Sequence, residues 1–288
     1  MSFDFYGQRL ATCSSDRKIK IWEEHGQEWR LEHEWNAHQA SVWKVEWAHP
    51  EFGQILASCS FDRTVSIWED QGVFLHGGAG DAAGGGTKEG WRNQAQLVDA
   101  RDSVHDVKFA PRHLGLRLEE FLADKDGATC VSWNKSRFDV PMIVVGGNSD
   151  VAKVWGYNNS YRRWQVVAEL VGHSDAIHDV CWAPNMGRSS HLLATASKDR
   201  TVRIWRLTIQ EDDHLQADVE EVARKHHHDS EVWRVEWNVT GTMLASSGDD
   251  GTVRMWKSDF EGNWACVNTI CGDLGPAAAP PPMDLRTS

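Results

Sequence analysis

Val232-Trp233-Arg234-Val235-Glu236-Trp237-Asn238, then Leu244-Ala245-Ser246-Ser247-Gly248-Asp249-Asp250-Gly251 and Thr252-Val253-Arg254-Met255-Trp256, is the stretch from which the fold is read. Trp233, Val235 and Trp237 alternate with Arg234 and Glu236, and a period of two describes a strand with one buried face. Leu244 to Ser247 reads as a second strand and Asp249-Asp250-Gly251 as a tight turn. Val253 to Trp256 reads as a third strand, which makes a meander.

The pattern recurs. Val42-Trp43-Lys44-Val45-Glu46-Trp47 leads to Leu56-Ala57-Ser58-Cys59-Ser60-Phe61-Asp62-Arg63 and Thr64-Val65-Ser66-Ile67-Trp68. Ile177-His178-Asp179-Val180-Cys181-Trp182 leads to Leu193-Ala194-Thr195-Ala196-Ser197-Lys198-Asp199-Arg200 and Thr201-Val202-Arg203-Ile204-Trp205. Weaker copies end at Trp22 and Trp155, and a sixth starts at Ser103-Val104-His105-Asp106-Val107-Lys108-Phe109 and then loses the pattern. A period of roughly 40 to 50 residues, with a terminal Trp after an Asp turn, is the signature of an all-β WD40 β-propeller, here of six blades.

Composition sets the frame for that reading. The chain has 288 residues, enough for one propeller as a single domain over residues 1–271. Its net charge of -12 argues against a dedicated surface for nucleic acid or anionic membrane, so no direct nucleic-acid partner and no membrane insertion are expected. No apolar run reaches about 18 residues, and the N terminus lacks a basic segment followed by an apolar core, so an intracellular, soluble setting is expected. The six cysteines include no C-x-x-C pair and read as structural thiols, with no metal and no cofactor expected.

Four side chains recur at fixed places in three blades: His38, Ser58, Asp62 and Trp68; His173, Thr195, Asp199 and Trp205; His228, Ser246, Asp250 and Trp256. An indole N–H is donor only and a buried hydroxyl or imidazole needs a partner, so a connected chain of hydrogen bonds is the favourable way to bury them. A hydrolase triad would occur once. Three copies indicate structural sets, and no catalytic residue is assigned. His226-His227-His228 is read as a loop in which only His228 joins a set.

Some segments break the rule. Met1 to Phe5 reads as the last part of an inner strand, so an incomplete first blade is expected, as from a late start in the gene model. Glu23 to Asn36 reads as a polar connection and the outer strand of the next blade. The glycine-rich run at 77–90 matches phosphate-loop patterns only out of context and reads as a surface loop. Residues 104–111 read as a good inner strand of the third blade, but 119–127 replace the strands that should follow, which a lost exon would explain. That defective blade would leave exposed strand edges. A short strand is expected near 219–223, outer strands at 164–170 and 264–270, and a disordered Pro/Ala tail at 272–288.

The wording of the repeats is more specific than the repeat class. Trp47-Ala48-His49-Pro50-Glu51-Phe52-Gly53-Gln54, Asp106-Val107-Lys108-Phe109-Ala110-Pro111, Ala183-Pro184-Asn185-Met186-Gly187-Arg188-Ser189 and the stretch from Val232 to Asp250 closely resemble the Seh-type nucleoporins, the Sec-thirteen homologues. The resemblance runs from Ser2 to about Ile270. It implies an open six-bladed propeller completed by strands from a helical-solenoid nucleoporin. Such a protein is a non-catalytic scaffold of the Y-shaped nuclear pore coat, alongside other Y-complex subunits at the nuclear envelope, serving nucleocytoplasmic transport, mRNA export and pore assembly. It also implies membership of a membrane-associated nutrient-signalling complex at the lysosomal or vacuolar surface. Unpaired blade edges agree with strand addition, and Phe3, Phe5, Leu10, Trp264, Val267 and Ile270 are the residues expected at the partner edge. Two scaffold alternatives stay open: a secretory vesicle coat subunit of the Sec-thirteen type, and a substrate receptor of a ubiquitin ligase, although Trp205-Arg206 lacks the spacing of a receptor motif.

Overall fold

The computed structural model describes residues 1–26, 28–71, 90–114, 123–210, 217–225 and 228–272. The glycine-rich run up to residue 89, residues 119–122 of the disrupted blade, His226, His227 and the tail from residue 273 lie outside the described residues.

Twenty strands form five antiparallel sheets of four. The first holds β1 (Ser2–Phe3), β2 (Arg9–Cys13), β3 (Lys18–His25) and β4 (Glu28–Asn36). The second holds β5 (Val42–Trp47), β6 (Ile55–Ser60), β7 (Val65–Asp70) and β8 (Trp91–Leu97). The third holds β9 (Ala128–Trp133), β10 (Met142–Gly147), β11 (Val151–Asn158) and β12 (Arg163–Val171). The fourth is β13 (Ile177–Trp182), β14 (His191–Ser197), β15 (Val202–Ile209) and β16 (Ala217–Lys225), and the fifth is β17 (Val232–Trp237), β18 (Met243–Gly248), β19 (Thr252–Ser258) and β20 (Trp264–Cys271). Strands pair in sequence order within every sheet, so each sheet is a meander, the unit of an all-β WD40 propeller. Among the described residues the remaining regular structure is two 3₁₀ turns, Pro50–Phe52 and Arg112–Leu114.

Five sheets stand where six were expected. Residues 103–109 form no strand. A strand needs a backbone partner, and among the described residues this segment makes one backbone hydrogen bond, from Val104 N to Ser60 O at 3.1 Å. Side chains hold it in place instead. Asp106 pairs with Lys44 of β5 and accepts from Val131 N of β9 at 3.1 Å, so the segment bridges the second and third sheets.

Two further readings change. β4 pairs with β3 of its own sheet, with His25 opposite Glu28 and Lys18 opposite Asn36. β8 was not anticipated, because Arg92, Asn93, Gln94 and Gln96 hide its period. The alternation in the opening stretch also has a shifted phase. A β-bulge between Val232 and Arg234 puts Val232, Val235 and Trp237 in the core and leaves Trp233 41% exposed. The same bulge follows Val42 in β5 and Ile177 in β13.

The core lies between sheets. Ala11, Ile19 and Ile21 of the first sheet pack against Val45, Trp47, Leu56 and Trp68 of the second. Val144, Val154 and Leu170 of the third pack against Val180, Trp182, Leu193 and Trp205 of the fourth. Ala194, Val202 and Ile204 of the fourth pack against Val235, Trp237, Trp256 and Trp264 of the fifth. The fourth sheet thus uses one face for each neighbour, with the small residues Ala194 and Ala196 of β14 packed in the core it shares with the fifth.

Candidate functional site

Three sheets carry a chain of buried hydrogen bonds at one place. In the second sheet the Trp68 indole N–H donates to Ser58 Oγ at 2.8 Å, Ser58 Oγ lies 2.7 Å from His38 Nε2, and His38 Nδ1 lies 3.0 Å from Asp62 Oδ2. In the fourth the distances for Trp205, Thr195, His173 and Asp199 are 2.9, 2.6 and 2.9 Å. In the fifth, for Trp256, Ser246, His228 and Asp250, they are 2.9, 2.8 and 2.8 Å. The donor order follows from chemistry. The indole can only donate and the carboxylate only accept, so Nδ1 carries the imidazole proton and Nε2 takes the hydroxyl hydrogen. The first sheet keeps one link, Trp22 Nε1 to Thr12 Oγ1 at 2.9 Å.

Electrostatics fit that order. Burial pulls the His38 pKa below its ordinary value, against the pull of Asp62. Burial raises the three carboxyls, but donors outweigh it. Thr64, the Gln39 amide and His38 hold Asp62 low; His173 and Thr201 hold Asp199 well below the usual carboxylate range; Thr252 and His228 bring Asp250 to about 2. The side chains of His38, His173 and His228 are fully buried, so no substrate reaches the hydroxyls. These sets tie the turn after each second strand to the loop before each first strand.

The expected edge residues divide. Phe3 pairs across to Leu10, Leu10 to Trp22 and Trp22 to Leu31, which places all four on the face of the first sheet turned away from the second. Phe3 is 55% exposed and packs edge-on against Trp29 at 5.8 Å. At the other end, Ala245 pairs with Met255 and Val253 with Ile270 on the face of the fifth sheet turned away from the fourth, and Ile270 is 52% exposed. Phe5 and Val267 are exposed as well. Trp264 does not belong with them: it is 7% exposed and packs edge-on against Trp237, because the bulge between Met255 and Trp256 turns it into the core. Among the described residues no hydrophobic cluster joins the first sheet to the fifth.

The first strands also bring together charges that the sequence reading passed over. Glu46 of β5 lies 3.6 Å from Lys108, with one carboxylate oxygen, Oε2, fully buried and without a hydrogen-bond partner among the described residues. Burial raises its pKa to about 7, against Lys108 and Lys44. Asp179 of β13 accepts from Val235 N of β17 at 3.0 Å, and burial raises its pKa to about 6. Asp106 and Asp179 are thus the same device twice, a carboxylate that takes the amide of the next inner segment. The signal was the shared His-Asp-Val at 105–107 and 178–180. Among the described residues no group of three His, Cys, Asp or Glu could hold a metal ion.

The family model of the WD domain, G-beta repeat, matches residues 1–23, 29–69, 164–206 and 220–257. Nucleoporin SEH1 of Xenopus tropicalis is 42% identical over 317 residues, covering 96% of this chain and 86% of its own length. Nucleoporin SEH1 of Danio rerio is 41% identical, with 96% and 85% covered, and that of Homo sapiens is 41% identical, with 96% and 86% covered. The 317 aligned positions exceed the 288 residues of the chain, so the relative carries residues without a counterpart here.

Proposed function

The chain belongs to the nucleoporin SEH1 family, and from that premise we propose how it serves the nuclear pore. It is a scaffold subunit of the nuclear pore coat, placed in the nuclear pore complex at the nuclear envelope. Its work is assembly, not catalysis. We read the propeller as one domain with six positions, five filled by sheets and the third held by residues 103–109, open between the first and last sheets.

The observation that carries the partner reading is a pair of faces, one on the first sheet and one on the fifth, that no hydrophobic cluster covers among the described residues. Phe3, Leu10, Trp22 and Leu31 on one side and Ala245, Val253, Met255 and Ile270 on the other are apolar, while the facing sides of the first and second, third and fourth, and fourth and fifth sheets pack against each other. Strands from a helical-solenoid nucleoporin inserted there would bury both faces and pair the backbone of β1. The test is recovery of tagged chain from cell extract in mild salt, with bound proteins identified by mass spectrometry, beside Phe3→Asp and Ile270→Asp. Solenoid nucleoporins are expected with the wild type and lost with both variants. Recovery of secretory coat subunits instead, or unchanged recovery with both variants, would overturn the reading.

A further inference from the structure

On the reading that a partner segment fills the place between the fifth and first sheets, we propose that the innermost strand of that segment carries an acidic and a basic residue two places apart, the acid against Arg234 and the base against Glu236. β17 and β5 have nearly the same wording, Val232-Trp233-Arg234-Val235-Glu236-Trp237 and Val42-Trp43-Lys44-Val45-Glu46-Trp47, each with a cation and a carboxylate two places apart. In both strands the two charges share a face with the small residues of the second strand. Lys44 and Glu46 lie opposite Cys59 and Ala57, and Arg234 and Glu236 lie opposite Ser247 and Ala245. Beside β5 the next inner segment answers both charges: Lys44 pairs with Asp106, and Glu46 lies 3.6 Å from Lys108. Among the described residues no inner segment follows β17. The Arg234 side chain is 50% exposed and lies 3.7 Å from Asp179 of the sheet behind it, whereas that of Lys44 is 20% exposed. Glu236 is exposed and has no ion-pair partner among the described residues.

Insertion makes the pairing necessary. A segment that covers Ala245, Val253 and Met255 also takes Arg234 and Glu236 of the same face out of water, and a buried charge without a partner is costly. The second sheet shows the balance: burial raises the Glu46 carboxyl, and Lys108 and Lys44 pull it back. Lys44 meets Asp106 and Glu46 meets Lys108 in parallel sense, so a segment running the same way past β17 reads acid, then base. The apolar residues fix which way that segment faces. Where the fifth sheet meets the fourth, Ala194, Val202 and Ile204 are covered by Trp237, Leu244 and Trp256. Ala245, Val253 and Met255 repeat the covered side, with Ala245 opposite Met255 as Ala194 is opposite Ile204. Leu10 and Trp22 of the first sheet repeat the covering side, opposite each other as Leu244 and Trp256 are. The completing segment therefore turns leucine and aromatic side chains to the fifth sheet, and alanine or β-branched ones to the first.

The probe is the solenoid nucleoporin recovered from cell extract on the tagged full chain in mild salt. Limited proteolysis of the captured complex, followed by mass spectrometry, identifies the partner fragment that stays bound. The charge exchange Arg234→Glu with Glu236→Arg is compared with Arg206→Glu and Glu220→Arg, the same exchange in an ion pair between β15 and β16. Capture is expected to fall roughly tenfold with the first exchange and to hold with the second, and the bound fragment to contain an acid and a base two places apart in a strand pattern. Exchanging that acid and base in the recovered partner should restore its binding to the Arg234→Glu, Glu236→Arg chain, which a misfolded variant could not show. Unchanged capture by this variant, equal loss with the control exchange, a bound fragment without the charge pair, or no restoration by the exchanged partner would overturn the proposal. Capture that survives the exchange but is lost with Phe3→Asp and Ile270→Asp removes the charge pairing and leaves the solenoid reading standing. A wild-type chain that captures no solenoid nucleoporin removes both.

Discussion

Thr195→Val removes one hydroxyl from the middle of the buried chain in the fourth sheet and keeps the side chain's shape. Two partners are orphaned at once: the Trp205 indole N–H, 2.9 Å from that oxygen, and His173 Nε2, 2.6 Å from it. Both side chains are buried, so water cannot replace the lost partner. An unsatisfied buried polar group costs about 1 to 3 kcal/mol, so the substitution should destabilise the protein by about 2 to 5 kcal/mol. A double-mutant cycle apportions the loss. In a Trp205→Phe background the indole donor is gone, and Thr195→Val should cost less there than in the wild type by about 1 to 3 kcal/mol. Urea unfolding followed by tryptophan fluorescence and circular dichroism gives the four stabilities. A Thr195→Val protein within about 0.5 kcal/mol of the wild type, or equal costs in both backgrounds, would refute the account of these sets as connected structure.

Asp250 titrates near 2 in the fold against 3.8 when unperturbed, so its stabilisation is present above pH 3.8 and lost as pH falls toward 2; Asp250→Asn should flatten the decline of urea midpoint over that window. Glu46 has the opposite sign. Its folded pKa of about 7 lies above the ordinary 4.5, so the fold loses stability as pH rises from 4.5 to 7, and Glu46→Gln should raise the thermal midpoint at pH 8 but not at pH 4. Gly147→Ala would place a Cβ 2.0 Å from Gly127 O, a backbone atom that cannot swing aside, and should lower stability by about 1 to 3 kcal/mol in thermal unfolding. Trp264→Ala should cost about 3 to 5 kcal/mol as a buried aromatic, whereas Ile270→Ala should leave unfolding almost unchanged and weaken capture of a solenoid nucleoporin.

What the sequence determined by itself was whatever is local and repeated. Period-two runs such as Val253 to Trp256, the Asp turns and the spacing of Trp22, Trp68, Trp155, Trp205 and Trp256 are set within a few residues and recur, so the sheet meander and the places of the buried His, Ser or Thr, Asp and Trp could be read directly. The nucleoporin resemblance was readable for the same reason, carried by continuous stretches of the chain.

Tertiary structure alone decided the rest. The bulges after Val42, Ile177 and Val232 turn on hydrogen bonding between neighbouring strands, and a one-residue phase shift moves Trp233 outward while the pattern of letters stays the same. Residues 104–111 have the letters of an inner strand, yet a strand is a relation between two segments, and the partner that would complete it is missing among the described residues. Trp264 and Ile270 belong to one strand and look equally suited to an edge, but the bulge at Trp256 puts the first in the core and leaves the second on an open face. Long-range contacts also create the charges worth testing: Glu46 meets Lys108, and Asp106 meets Lys44 and Val131, only when three separate sheet positions come together.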